Sequence, residues 1–134
     1  MATITTTYLG DLRTESTHVQ SGTKLITDAP TDNQGRGESF SPTDLFVTSL
    51  SVCALTIMGI AARTSNIDIK NTKIETTKIM GTNPRRVTEI IIDIYPPQKN
   101  YSIREKRILE NAVKTCPVAY SINPEIKETI NFHY

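Results

Sequence analysis

The sequence predicts an α+β protein on three observations. A long, uncharged apolar run lies mid-chain, short segments of alternating character precede and follow it, and an amphipathic helical segment comes near the C-terminus. The central run, Ser41 to Thr64 (SPTDLFVTSLSVCALTIMGIAART), is what the rest is organised around, and it carries no charge between Asp44 and Arg63. It opens with helix-start chemistry. Ser41 is placed to cap free N–H groups, Pro42 sits at the first helical position, and Asp44 stands where a capping box needs its carboxylate. Leu45, Phe46, Val47, Leu50, Val52, Leu55, Ile57, Met58 and Ile60 then surround the axis. A helix that is apolar all round must be covered all round. Thr48, Ser49, Ser51 and Thr56 interrupt it, which makes it a poor membrane span and a good buried central helix.

Residues 2–9 (ATITTTYL) are rich in Thr and Ile and read as a strand, Arg13 to Gln20 as a second, and Lys24 to Thr27 as a third. Gly10-Asp11 and Ser21-Gly22 are the turns between them, giving an antiparallel meander. Asp28 to Glu38 (DAPTDNQGRGE) is loop chemistry. After the central helix, Asp68 to Met80 alternates as a strand, Gly81 to Pro84 turns, and Arg86 to Tyr95 returns until Pro96-Pro97. Ser102 and Glu105 form the capping box of a helix whose stripe is Ile103, Ile108 (or Arg107), Leu109, Ala112 and Val113. Cys116-Pro117 interrupts it, VAYSI forms a short helix, and Glu125 to His133 is a last strand. The order is β-β-β-α-β-β-α-α-β.

The chain has 134 residues, which suits one domain spanning 1–134. One sheet covers only one side of the central helix, so burial predicts that a second copy covers the other, in an intertwined homodimer. With 15 basic and 14 acidic residues the balance gives no reason to expect nucleic acid, and no membrane is expected. The opening MATITTTYLG lacks the basic region and apolar core of a secretory signal. With only two cysteines this points to the reducing cytoplasm rather than to a disulfide scaffold. Two His and two Cys at scattered positions make no recognisable metal site, so no metal and no cofactor are expected; His18 and His133 read as strand residues.

Cys53 lies mid-helix in apolar surroundings, where desolvation leaves a thiol inert unless a cation is near. Cys116 precedes Pro117 and is placed to cap the following helix, whose N-terminus would lower its pKa. GDLR (10–13), SG (21–22), TDAP (27–30), SPTDLFVTSLSVC (41–53) and TCPVAYSI (115–122) are together similar to the superfamily of osmotically induced protein C and organic hydroperoxide resistance proteins. That resemblance runs over nearly the whole length. It implies an OsmC-like fold, with antiparallel sheets wrapped around a buried central helix in an intertwined dimer.

It also implies a thiol peroxidase of oxidative stress defence. By the resemblance Cys53 is the peroxidatic nucleophile and Cys116 the resolving thiol, with an organic hydroperoxide as substrate and an external dithiol as reductant. A guanidinium beside Cys53 is required, and lowering the thiol pKa by two units is worth about 2.7 kcal/mol. The family places an Arg near the first turn, which maps on Arg13, with Arg36 as the alternative. It also places a Glu directly after the helix-opening Pro, where this chain has Thr43; Asp44 or Glu38 is then the carboxylate available. The alternative is a non-catalytic dimer of the same fold that binds a small apolar ligand or senses oxidation.

Overall fold

The computed structural model describes residues 1–97 and 100–134. Its element order is β1 (Ile4–Gly10), β2 (Arg13–His18), β3 (Lys24–Asp28), a 3-10 turn (Thr31–Asn33), α1 (Pro42–Thr64), β4 (Lys73–Gly81), β5 (Arg86–Tyr95), α2 (Ile103–Val113), α3 (Pro117–Ser121) and β6 (Lys127–Phe132). The α+β order read from the sequence holds, and the 3-10 turn is the only regular addition among the described residues. The chain forms two compact parts, Met1–Phe46 and Val47–Tyr134.

In the first part β1, β2 and β3 form an antiparallel meander in that order. The β1–β2 turn is tight because Gly10, Asp11 and Leu12 all take positive φ, of 88°, 52° and 62°. Gly10 does so without strain; the other two are held by the turn, with the Leu12 N–H donating to the Tyr8 hydroxyl at 3.2 Å. In this ladder Arg13 lies directly opposite Asp28, a register that decides the chemistry of this part. The loop after β3 is tied back to it: the Asp28 N–H donates to the Phe40 carbonyl at 3.0 Å and Ser39 Oγ to the Ile26 carbonyl at 2.8 Å.

Helix α1 starts as its capping chemistry predicts. The Asp44 N–H donates to Ser41 Oγ at 3.1 Å, and Asp44 Oδ2 accepts from the Ser41 N–H at 2.9 Å. Within the chain it buries one face, Val47, Leu50, Ser51, Ala54, Met58 and Ala62, rather than all faces. Val52 and Ile60, one row away, are 53% and 58% exposed. By length and composition α1 would also pass as a membrane span, with mean hydropathy 2.1 and a third of that window buried. The core helix of a soluble protein passes the same test.

In the second part β4 and β5 are antiparallel, and β6 pairs with β5 in parallel. Val87, Ile90, Ile92 and Ile94 of β5, Leu109 and Val113 of α2, and the buried face of α1 supply its buried apolar side chains. Ser51 of α1 is hydrogen-bonded to Thr76 of β4, which turns the buried helix face toward this sheet. Two expectations are corrected. The strand expected from Asp68 starts only at Lys73, because Asn66 and Asn71 take left-handed backbone (φ 58° and 74°) and the chain turns there. Ile103 does not join the buried stripe of α2; as the first residue of the helix it is 77% exposed. The capping box is as expected: Ser102 Oγ accepts from the Glu105 N–H at 3.0 Å and Glu105 returns to the Ser102 N–H at 2.8 Å.

Candidate active site

The two cysteines belong to the same compact part. Cys53 sits mid-way along α1 at the edge of its buried face, and it is partly open to solvent. That differs from the wholly covered position expected of an all-apolar helix, because within the chain only one face is packed. Cys116 is the N-cap of α3, with extended backbone (φ −69°, ψ 126°) and Pro117 directly after it. It is 0% exposed. Both are free thiols, and Cys53 is among the groups near enough to bear on the Cys116 thiol.

The charge state of Cys116 is the reverse of the expectation. Burial pushes its thiol up, and the neighbouring Cys53 pushes it further; the N–H groups of Ala119 and Val118 pull the other way. Helix α3 has five residues and makes no regular side-chain cap bond to Cys116, so its dipole is too small to offset the loss of water. Burial therefore favours the protonated form of the Cys116 thiol.

The first compact part contains the charged candidates. Arg13 grips Asp28 through two parallel bonds, Nε to Oδ1 at 2.7 Å and Nη2 to Oδ2 at 2.8 Å, and its Nη2 also reaches Glu38 Oε1 at 3.4 Å. Asp28 is 1% exposed and also accepts the Glu38 N–H at 3.2 Å. The Arg13 hydrogen bond holds the Asp28 carboxyl below the usual carboxylate range against the opposing effect of burial; Asp28 in turn raises Arg13. The pair is covered but shallow. Arg36 instead bonds the exposed Asp11 at 2.8 Å and is a solvated surface charge. Asp44 has its carboxylate in the α1 cap, and Glu38 is mostly exposed beside Arg13.

The residue that sequence reasoning missed is Asp28. Its signal was present in the strand register: the last residue of β3 must face the first of β2 across a tight meander, so an Arg there finds an Asp. Among the described residues no cluster of His, Cys, Asp and Glu could hold a metal ion.

The sequence pattern of the family described as OsmC-like protein matches residues 35–131. The chain belongs to the OsmC-like protein family. Among solved structures, this OsmC-like chain is 51% identical to a Psychrobacter arcticus 273-4 protein named for osmotic stress induction and a detoxification response. The two agree with a TM-score of 0.95 over 99% of this chain and 96% of that one. An organic hydroperoxide resistance protein OsmC of Legionella pneumophila matches at 15% identity and TM-score 0.76, over 100% of this chain and 98% of that one. An organic hydroperoxide resistance protein of Elizabethkingia anophelis matches at 17% and 0.74, over 98% and 96%. At those identities the likeness is one of fold. No curated protein sequence matches the chain.

Proposed function

We propose that this OsmC-like protein is a cytoplasmic thiol peroxidase that reduces organic hydroperoxides to alcohols in defence against oxidative stress. The observation that carries the reading is the Cys53–Cys116 pair: a partly open thiol on the central helix with a second, wholly buried thiol against it. Proteins of this fold include ones named for organic hydroperoxide resistance, which supports the substrate class.

In this reading the Cys53 thiolate attacks the terminal oxygen of ROOH, the O–O bond breaks, and Cys53 becomes a sulfenic acid while RO⁻ leaves as the alcohol. Cys116 then displaces the sulfenic oxygen as water and forms the Cys53–Cys116 disulfide. An external dithiol reduces it by thiol–disulfide exchange. Arg13, anchored by Asp28, is the residue to which the family resemblance assigns the guanidinium, and a homodimer covers the open face of α1.

The test is consumption of cumene hydroperoxide with a dithiol reductant, comparing wild type with Cys53→Ser. The reading expects turnover in the first and none above the uncatalysed rate in the second; equal consumption would remove it. The second reading, a non-catalytic member that binds a small apolar ligand or senses oxidation, draws on the Arg13 fork being taken by Asp28 and on Thr43 following Pro42. It expects no turnover in either protein.

A further inference from the structure

Glu128 stands on the costly side of its strand for a carboxylate. In the parallel β5–β6 ladder Ile90, Ile92 and Ile94 lie opposite Glu128, Ile130 and Phe132. Those three isoleucines are 0%, 1% and 0% exposed, and residues opposite one another share a face of the sheet. Glu128 therefore belongs to the core-facing row, while Lys127, Thr129 and Asn131 face the other way. A charge in that row calls for a partner. Glu128 has none among the described residues: burial alone acts on its carboxyl and pushes the pKa up, with no hydrogen bond or neighbouring charge to offset it. Lys78, which flanks Ile90 from β4, is not among the groups that bear on it.

Beside Glu128 is a cavity of about 510 Å³, the size of a small-molecule site. Val113 and Lys114 from the end of α2, Ala119 and Tyr120 of α3, and Glu128 and Ile130 of β6 line it, all within the second compact part. Val113, Ala119 and Ile130 make an apolar wall, and the Tyr120 ring beside them is 75% exposed. Lys114 brings an ammonium to the same cavity and has no ion pair among the described residues. Two opposite charges thus line one cavity without pairing, and both side chains are open enough for a ligand to reach.

We propose that this cavity binds a small zwitterion of amino-acid size with an apolar body, its ammonium on Glu128 and its carboxylate on Lys114. The hydrocarbon part lies on Val113, Ala119 and Ile130, with the Tyr120 ring alongside. An ammonium supplies the partner that Glu128 lacks, and charge-assisted hydrogen bonds are the strong ones where water is partly displaced. A carboxylate does the same for Lys114 at the more open end. An inward charge on an edge strand also discourages strand addition, but that role asks for no cavity and no second charge. Neither cysteine lines the cavity, so the site stands or falls separately from the peroxidase reading.

The experiment is calorimetric titration of the full chain with phenylalanine, phenethylamine and 3-phenylpropanoate. These share one apolar body and carry both charges, the positive one alone and the negative one alone. Phenylalanine should bind best. Glu128→Gln should weaken phenylalanine and phenethylamine by about 10-fold each and leave 3-phenylpropanoate no weaker. Lys114→Met should weaken phenylalanine and 3-phenylpropanoate, by a smaller factor because Lys114 is exposed, and spare phenethylamine. Wild type alone carries a second readout that holds if a variant fails to fold: amide NMR shifts caused by phenylalanine should centre on Lys114, Tyr120 and Glu128. No binding of any probe at millimolar concentration, shifts centred elsewhere, or affinities that both variants leave unchanged would overturn the site and leave Glu128 as a guard of the strand edge. Phenethylamine binding as tightly as phenylalanine would overturn the zwitterion.

Discussion

Arg13 and Asp28 meet because their backbones are partners in the β2–β3 ladder, and the planar fork of a guanidinium matches a carboxylate at that spacing. Lysine would not replace this: a point charge loses the parallel bonds that fix the plane. The sign of the pH effect follows from the depressed Asp28 pKa. Its contribution to stability is fully present above the unfolded value, about 3.9, and is lost as pH falls through the lower folded value. Asp93 behaves in the same sense, held down chiefly by its bond to His133 and next by Asn131. Asp28→Asn should thus lower the unfolding midpoint by several degrees at neutral pH and flatten its fall in acid, read by thermal unfolding from about pH 6 down to about pH 2.5. An unchanged acid limb would show that the pair contributes nothing. The cysteines were legible as a motif, since Cys53 and Cys116 stand in recognisable surroundings. The direction of the Cys116 shift was not, because the burial that decides it depends on packing rather than on the Cys-Pro step.

The elements follow their end signals closely. Both long helices begin at capping boxes readable from Ser41/Asp44 and Ser102/Glu105, and both boxes are formed. Ser41→Ala and Ser102→Ala should each remove about 1 kcal/mol of stability in urea unfolding. Leu109→Ala, which empties a fully buried position of α2, should remove about 2–5 kcal/mol. A Leu109 loss no larger than that of the caps would contradict the packing described. What the sequence left open has physical causes. Alternation along Lys127–Phe132 is the same for either strand direction, so the parallel pairing with β5 is set by where the chain re-enters the sheet. The late start of β4 was signalled by Asn66 and Asn71, since Asn adopts left-handed backbone more readily than most residues. The Ile67 and Ile69 alternation outweighed that signal.

At the level of the molecule, the chain leaves an apolar row of α1 open at Val52 and Ile60. The exposed Ile4, Leu9, Leu25 and Phe40 of the first compact part add to the uncovered apolar surface. We expect a second copy to close these surfaces, so sedimentation equilibrium should give twice the 14.9 kDa of the chain. Placing Lys at Val52 or Ile60 should shift the mass toward a single chain. A monomeric wild type would remove the dimer while leaving the fold of each compact part intact. The central claim, that the two sulfurs work as one redox unit, is tested most directly by adding one equivalent of cumene hydroperoxide to the reduced protein without reductant and counting thiols by mass spectrometry. The account predicts that both thiols disappear together, with the loss of two hydrogens and a single Cys53–Cys116 bridge within the chain. Peroxide consumed while both thiols stay free, or a Cys53→Ser protein that consumes it as fast, would contradict it.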